Sequence, residues 1–490
     1  MNAETPVNAL NPAILALADK TVSTKHKLKV DKTTLNYTAD CGTVVLKEEW
    51  EKSGEAQAEK KRAQLFFVAY TVENKTETQR PITFSFNGGP GSSSVWLHMG
   101  FAGPQRIFME GKGDAGAPPY KLVDNIHTML TETDLVFIDP VGTGFSRMVE
   151  GEKVGEYHNY QRDLESVGEF IRLYVSRNKR WNSRKYLIGE SYGTTRAAGL
   201  SSYLQEKFGM YINGVMLISC ALEFSHLRFD NGNDLPPVLY LPSYAATAWY
   251  HGKLSADLQK RSLRSVLDEV EAYSSSTYAA ALFQGRALPA TAETEVVKQL
   301  ARYTGLSAAY IRATRLRINI AKFVKELLRT EGKTVGRLDS RFTGLDRDNS
   351  GETFEADPSY TAILGPYAST FNHYVRATLN YENDLPYHTL SGLYLTWGWN
   401  EFTNKYVSVS ESLRKAMAAN PDLKVFVGNG YYDFATPHFA SDYCFNQLAV
   451  DETRAKNITQ RYYEAGHMMY VHQPSLKALA DDVRAFLKSA

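Results

Sequence analysis

The stretch LIGESYG, residues 187–193, restricts the fold of this chain more than any other feature. The apolar, strand-like run KYLI, residues 185–188, ends directly before Gly189, and the helix-forming stretch TTRAAGLSSYLQEKF begins directly after Gly193. Gly-x-Ser-x-Gly between a strand and a helix is typical of a nucleophile elbow, in which a strained serine projects its hydroxyl from the turn. The flanking glycines remove side chains that would collide with the neighbouring strand and helix. The pattern therefore predicts that Ser191 is a nucleophile rather than an ordinary turn residue.

Strand-like and helical patterns alternate through the first half of the chain. A helical pattern covers 159–175, and the candidate strands are 65–72, 81–86, 135–140, 185–189 and 214–220. This alternation predicts an α/β domain with a largely parallel sheet.

The strand signal fades between about 226 and 389, where helical patterns follow one another. Strand-like runs return at 424–428 and 458–465, and a closing helix is predicted over 474–488. We predict a discontinuous α/β core with a mainly helical insertion. The core comprises 1–225 and 390–490, and the insertion comprises 226–389.

A nucleophilic serine needs a base, a carboxylate that orients the base, and donors for the oxyanion. In the chain order Ser, acid, His, Asp433 and His467 each follow a late predicted strand, in VFVGNGYYDFATP and RYYEAGHMMY. FNGGPGSSSVW, residues 86–96, follows another predicted strand, as a glycine-rich oxyanion loop does. We predict a triad of Ser191, Asp433 and His467.

Five sequence islands together resemble the serine carboxypeptidases of the α/β-hydrolase superfamily. They are NGGPGSSS (87–94), DLVFIDPVGTGFS (134–146), GESYG (189–193), GNGYYDFATP (428–437) and EAGHMMYVHQP (464–474). The resemblance implies an α/β-hydrolase fold with a central, mostly parallel sheet and a helical cap over the catalytic face. It also implies a peptide substrate, cleaved through an acyl-enzyme with no cofactor and no metal ion.

The same resemblance implies roles for four further residues. The backbone N–H groups of Gly89 and Tyr192 would form the oxyanion hole. The side chains of Asn87 and Glu190 would bind the C-terminal carboxylate of the peptide, which would make the enzyme an exopeptidase. A buried Glu190 facing a carboxylate must be protonated, and desolvation favours that state by raising its pKa. Peptide binding would then weaken as the pH rises, whereas a helix dipole acting on Glu190 would lower its pKa instead.

Two positions depart from the family pattern. Ser92 stands where family members commonly have a cysteine, so the corresponding disulfide is absent. Phe101 stands where many have a glutamate that shares a proton with the elbow glutamate. We therefore expect Glu190 to depend on desolvation, to which Phe101 contributes, for its neutral state.

The net charge and the number of cysteines limit which partners and which cellular compartment are expected for this protein. The formal net charge of +1 gives no reason to expect nucleic acid or an anionic membrane surface as a partner, and no apolar run is long enough to span a bilayer. Three scattered cysteines, Cys41, Cys220 and Cys444, favour a bacterial-type member or a reducing compartment over a disulfide-rich secreted enzyme. The opening residues do not read as an intact signal peptide. The sequence leaves two compartments open: the protein is secreted or periplasmic if a signal was trimmed, and cytoplasmic otherwise. A homodimer is compatible with the sequence.

Other functions remain open on the sequence alone. The same triad serves an esterase or acyltransferase acting on non-peptide esters, and a hydrolase fold without activity can act as a binding protein. The stretch DRDNSGETFEAD, residues 346–357, resembles a calcium loop, but Pro358 follows where a helix should continue. We interpret it as a polar surface turn.

Overall fold

The computed structural model describes residues 18–52, 55–73 and 79–489. Residues 1–17, on which the prediction about export depends, lie outside this part of the chain. The strands are β1 (Lys20–Val30), β2 (Thr33–Lys52), β3 (Glu55–Val72), β4 (Ile82–Phe86), β5 (Gln105–Ile107), β6 (Leu122–Asp124), β7 (Asp134–Ile138), β8 (Arg147–Met148), β9 (Lys185–Ser191), β10 (Gly214–Cys220), β11 (Thr334–Val335), β12 (Thr343–Gly344), β13 (Lys424–Gly430) and β14 (Ile458–Tyr463). The α-helices are α1 (Val95–Leu97), α2 (Tyr160–Arg177), α3 (Tyr192–Phe208), α4 (Leu235–Tyr250), α5 (Ala256–Gln259), α6 (Leu263–Tyr273), α7 (Ala279–Gln284), α8 (Ala290–Thr304), α9 (Ala308–Ala313), α10 (Ile320–Glu326), α11 (Pro358–Ala377), α12 (Ser410–Ala419), α13 (His438–Asn446), α14 (Glu452–Ala455) and α15 (Gln473–Ser489).

One large sheet has the strand order β1-β2-β3-β7-β4-β9-β10-β13-β14. Strands β7 to β14 in this order run parallel to one another, as the sequence predicted. Strands β1, β2 and β3 are antiparallel to their neighbours, so the sheet is mostly parallel with an antiparallel edge. The hairpin of β1 and β2 was not predicted, because β1 exposes most of its side chains and lacks a strong apolar alternation.

The central strands are buried on both faces because helices cover the sheet on either side. Every residue of β4, β7 and β10 is buried. Helices α2, α3 and α12 contribute to the apolar cluster on one face, and α11 and α15 contribute to the cluster on the other face. This double covering explains why these strands appear in the sequence as short, continuous apolar runs.

The region 226–389 contains helices α4 to α11 and the short hairpin of β11 and β12. Helices α4, α6, α8 and α10 share an apolar cluster that includes Tyr244, Leu300 and Phe323. Helix α11 packs instead on the cluster of the main sheet through Tyr367 and Phe371. In the described ranges, no helix is both long enough and apolar enough to cross a membrane.

The parallel strands direct their carboxyl ends to one edge of the sheet. In folds of this kind, ligands bind at that edge, beyond the strand ends. The loop after β4, the end of β9 and the loops after β13 and β14 all lie there, and they carry the residues that the sequence singled out.

Candidate active site

The predicted nucleophile lies at a strained junction. Strand β9 ends at Ser191, helix α3 begins at Tyr192, and Ser191 has φ 60° and ψ −129°. A Cβ atom on Gly189 would collide with the backbone of Gly193, so this turn tolerates only glycine at position 189. The left-handed backbone of a non-glycine residue costs free energy that the surrounding packing must offset, and such strain is concentrated at functional sites.

Asp433 and His467 are in direct contact. The Nδ1 atom of His467 lies 2.7 Å from Oδ2 of Asp433, and both side chains are buried. Asp433 also accepts hydrogen bonds from the amides of Ala435 and Thr436 and from the Thr436 hydroxyl. Burial acts to lower the pKa of His467, but the Asp433 charge, the hydrogen bond to Asp433 and the Glu190 charge together outweigh it and raise that pKa above its ordinary value. The carboxylate is therefore held to orient the imidazole and to stabilise its protonated form.

The imidazole loop is fixed next to the elbow. Ser191 pairs with Cys220 in the parallel register of β9 and β10, and the hydroxyl of the adjacent Ser219 donates to the carbonyl oxygen of His467 at 2.6 Å. Within the described residues the Ser191 hydroxyl makes no hydrogen bond, so the contact between Ser191 and His467 is not closed. Long or unformed catalytic hydrogen bonds are common before substrate binds.

The glycine-rich loop after β4 lies against the elbow. A Cβ atom on Gly88 would collide with the amide nitrogen of Tyr192, and Gly89 has φ +100°. The loop therefore approaches the start of α3 with no side chain between the two backbones. This arrangement places Gly88, which directly precedes the predicted oxyanion donor Gly89, against the amide of Tyr192, the other predicted donor.

Asn87 and Glu190 are joined by a hydrogen bond, and Tyr470 completes the group. Nδ2 of Asn87 donates to Oε1 of Glu190 at 2.9 Å, and the Tyr470 hydroxyl donates to Oε2 at 2.6 Å. Burial raises the pKa of Glu190 to about 7, against the opposing effects of the His467 charge and the two hydrogen bonds. Desolvation therefore dominates the pKa of Glu190, and the alternative in which a helix dipole lowers that pKa does not apply.

Tyr470 provides Glu190 with a hydrogen-bond partner, which the family glutamate absent from position 101 would otherwise provide. Phe101 is buried and stacks on the Tyr470 ring, with centroids 6.2 Å apart. Phe101 thus supplies apolar surroundings, and Tyr470 supplies the polar partner of Glu190. Tyr470 was not predicted from the sequence, although it lies three residues after His467 in a stretch that was already recognised.

A buried ion pair behind the elbow was also missed. Nε of Arg196 donates to Oδ2 of Asp163 at 2.8 Å, and the Tyr192 hydroxyl donates to the same oxygen at 2.9 Å. Nη1 of Arg196 donates to the carbonyl oxygen of Asn87 at 2.7 Å. Arg196 therefore ties helix α3 to the loop that carries Asn87 and Gly89. No local pattern links two residues that meet only through packing of α2 on α3.

Replacing Arg196 with methionine is expected to lower the free energy of unfolding by about 3–5 kcal/mol, because it leaves the buried Asp163 carboxylate without its charged partner. Urea unfolding followed by circular dichroism measures this loss. Arg414→Met removes a partly exposed partner of Glu411 on α12 and is expected to leave the unfolding midpoint unchanged. Equal losses in the two variants would contradict this role of the buried pair.

The structure offers no metal centre within the described residues, where no group of three His, Cys, Asp or Glu side chains is placed to hold an ion. Two carboxylates of the calcium-like stretch have other partners. Asp346 accepts a hydrogen bond from the Lys325 ammonium at 2.6 Å, and Asp357 caps the first turn of α11 by accepting from the amide of Ser359.

Comparisons with known proteins point to one family. The family model for serine carboxypeptidases matches residues 50–479. Serine carboxypeptidase-like 33 of Arabidopsis thaliana is 26% identical over 155 residues, which are 29% of this chain and 29% of that protein. The pheromone-processing carboxypeptidase KEX1 of Saccharomyces cerevisiae is 32% identical over 135 residues, which are 26% of this chain and 17% of that protein. The chain thus spans less than a third of the length of these curated relatives.

The fold has a counterpart among solved structures. The crystal structure of KEX1(DELTA)P, a prohormone-processing carboxypeptidase from Saccharomyces cerevisiae, aligns with a TM-score of 0.55 at 16% identity. The alignment covers 92% of this chain and 91% of that chain, which confirms the predicted α/β-hydrolase fold. Because the family model covers most of the chain, from the second strand of the sheet to the last helix, the protein belongs to the serine carboxypeptidase family.

Proposed function

We propose that the protein is a serine carboxypeptidase that releases C-terminal residues from peptides. The observation that carries this proposal is the buried Glu190, held by Asn87 and Tyr470 in the residue position next to Ser191. A carboxyl group with a pKa raised to about 7 beside a nucleophile is suited to binding a peptide carboxylate while that nucleophile attacks the last peptide bond. The names of the yeast and plant relatives agree with this activity.

In the proposed mechanism, the Ser191 oxygen attacks the carbonyl carbon of the last peptide bond as His467 takes its proton. Asp433 holds the imidazole in the required tautomer and stabilises the imidazolium. The N–H groups of Gly89 and Tyr192 stabilise the negative oxygen of the tetrahedral intermediate. His467 then protonates the leaving amine, and water, activated by the same imidazole, releases the acyl group from Ser191.

The carboxylate of the leaving residue is proposed to lie against Asn87 and Glu190. Nδ2 of Asn87 has two N–H donors, one of which is used for Glu190, and the Asn87 side chain also interacts with the Tyr470 hydroxyl. The substrate carboxylate would take the second N–H in place of that hydroxyl. A protonated Glu190 supplies an O–H donor in the same place. Tyr470 donates to Oε2 of Glu190 and so fixes the orientation of the carboxyl group.

Replacing Glu190 with glutamine is expected to abolish the rise in KM at alkaline pH. In the parent enzyme, Glu190 ionises as the pH passes its pKa of about 7, and the resulting charge repels the substrate carboxylate. Glutamine keeps an N–H donor but cannot ionise, so the KM of the variant should stay constant over that range. Initial rates on a blocked dipeptide with a free carboxylate, measured across pH, test this expectation. A profile for the parent enzyme that is flat between about pH 5 and 8 would contradict the proposed role of Glu190.

The function itself is tested by comparing a blocked dipeptide that has a free carboxylate with its C-terminal amide. A carboxypeptidase cleaves the former and rejects the latter, because the amide cannot occupy a carboxylate site. Mass spectrometry of the released residue identifies the cleaved bond. Similar rates on both substrates, with higher rates on simple esters, would favour the esterase or acyltransferase alternative.

We also propose that residues 226–389 act as an insertion that covers the catalytic edge. The shared apolar cluster of α4, α6, α8 and α10 supports a unit with its own core. The segment 337–341 hydrogen-bonds to the loops that carry Asp433 and His467. Limited proteolysis tests this division, since cleavage should concentrate near 226 and 389 and leave the segment between them intact.

We further propose a bacterial-type member of the family that forms a homodimer. Cys41, Cys220 and Cys444 are all unpaired and buried, which supports a chain that needs no disulfide. Titration of three thiols in the unfolded protein without a reductant agrees with this proposal, and titration of one thiol contradicts it. Light scattering tests the dimer, which should have the mass of two chains.

A further inference from the structure

A segment of the region 226–389 passes directly over the two loops that carry Asp433 and His467. The carbonyl oxygen of Arg337 accepts a hydrogen bond from the amide of Phe434 at 3.0 Å, and that of Leu338 accepts from the amide of His467 at 2.7 Å. The amide of Arg337 donates to the Asp357 carboxylate at 3.1 Å. The backbone of Arg337 is therefore fixed beside the triad by contacts on both sides.

The side chain of Arg337 ends in a guanidinium that is only partly exposed to solvent. Within the described residues it makes no hydrogen bond and no ion pair, although the residue is half-buried. Four residues further along, Arg341 is buried and pairs with both carboxylate oxygens of Asp339. A partly desolvated cation without a partner is unfavourable, and an anionic ligand would relieve that cost.

The charge of Arg337 acts on the catalytic residues. Burial lowers and Asp433 raises the pKa of His467, and the Arg337 guanidinium adds a lowering effect. Burial raises the pKa of Tyr240, and Arg337 again opposes that shift. The guanidinium is thus within electrostatic reach of both the His467 imidazole and the Tyr240 hydroxyl.

Tyr240 is a second polar group without a partner at this place. Its side chain is only 1% exposed, and within the described part of the chain its hydroxyl makes no hydrogen bond. The ring is held by Phe229 at 4.8 Å and by Tyr244 at 6.0 Å between centroids, and Tyr244 in turn packs on Phe434 at 5.3 Å. A buried tyrosine hydroxyl normally finds a hydrogen-bond partner, so this one is available to a ligand.

The Asp433 carboxylate does not form an ion pair with Arg337. Both of its oxygens are already occupied, by the amides of Ala435 and Thr436, the Thr436 hydroxyl and the His467 ring. Arg337 and Tyr240 thus present a cation and a neutral donor, which together suit a carboxylate.

We propose that Arg337 and Tyr240 form a subsite for the carboxylate side chain of a glutamate or aspartate next to the cleaved bond. This subsite is distinct from Asn87 and Glu190, which would take the carboxylate of the chain end. The inference rests on the proposed peptidase function and adds a substrate class to it, namely peptides with an acidic residue on either side of the cleaved bond.

The test compares pairs of blocked dipeptides that differ only in glutamate against glutamine, placed before the cleaved bond in one pair and after it in the other. The parent enzyme should have a kcat/KM at least about 10-fold higher for glutamate in one of the pairs, the size of effect that a charge-assisted hydrogen bond gives. In Arg337→Met this preference should disappear. The ratio within a pair cancels any effect of Arg337 on His467. Arg347→Met, at an exposed arginine of the same region, is the matched control and should retain the preference.

Binding of the same peptides to the Ser191→Ala protein, followed by calorimetry, separates this inference from the activity. A preference for glutamate that Arg337→Met or Tyr240→Phe weakens would support the subsite even if the protein hydrolyses no peptide. Equal binding and equal cleavage of glutamate and glutamine peptides in both pairs would overturn it. An equal loss on both members of a pair in Arg337→Met would also overturn it, because Arg337 would then act only through His467.

Discussion

Replacing Ser191 with alanine is expected to lower kcat by about 10⁶, because the acyl-enzyme can no longer form and the other two residues of the triad cannot act without it. The KM should change little, since the binding contacts proposed for Asn87 and Glu190 remain. Initial rates on a blocked dipeptide with a free carboxylate measure both constants.

Ser202→Ala is the matched control for this experiment. Ser202 lies on the same helix α3, and its hydroxyl donates to Glu206 and not to any residue of the site. The control should retain the parent rate. A fluorophosphonate should label Ser191 in the parent enzyme and leave the Ser191→Ala protein unlabelled. Parent-like activity in Ser191→Ala, or no labelling of the parent, would reject the nucleophile and leave a hydrolase fold that only binds.

The parts of the fold that the sequence predicted are those specified by local patterns. Strands β4, β9, β10 and β13 are apolar because both faces of the sheet are covered, and this burial is visible as short hydrophobic runs. The proposed triad relies on the fixed chain order of α/β-hydrolases, which allows three positions far apart in sequence to be proposed together.

The residues that the sequence did not predict depend on tertiary contacts. Tyr470 supports Glu190 only because the loop after β14 returns to the elbow, where Phe101 stacks on the Tyr470 ring. Arg196 and Asp163 are more than thirty residues apart and meet where α3 packs on α2. The motif identified Glu190 as important but did not show which groups would hold it, because hydrogen bonds between distant segments leave no periodic signal in the sequence.

The proposed reaction requires opposite protonation states of Glu190 and His467. Glu190 must hold a proton to bind the substrate carboxylate, and His467 must be neutral to accept one from Ser191. Burial raises the pKa of Glu190 to about 7, and Asp433 raises the pKa of His467. Because the charge of each group shifts the pKa of the other, Glu190 and His467 titrate as a coupled pair. In the active state the pair holds one proton, and that proton is on Glu190. We therefore expect a narrow pH optimum for peptides.

Replacing Asp433 with asparagine is expected to lower kcat by about 10⁴, with little change in KM. The side-chain amide of asparagine can donate a hydrogen bond to Nδ1 of His467, which then becomes an acceptor and leaves its proton on Nε2. An imidazole in that tautomer cannot take the proton of Ser191. Loss of the Asp433 charge also removes the main influence that raises the pKa of His467. The pH dependence of kcat measures both effects, since its acidic limb should move to lower pH.

Asp442→Asn is the matched control, because it also removes one negative charge without changing the size of the side chain. Asp442 is on the helix α13 that follows the Asp433 loop, and its carboxylate accepts a hydrogen bond from the Tyr462 hydroxyl, away from the imidazole. This control should keep kcat within a few-fold of the parent. A loss in Asp433→Asn of less than about 10-fold would show that His467 does not need this carboxylate for its tautomer. In that case another group would have to orient the base, because a neutral imidazole without a fixed tautomer spends only part of its time ready to accept the serine proton.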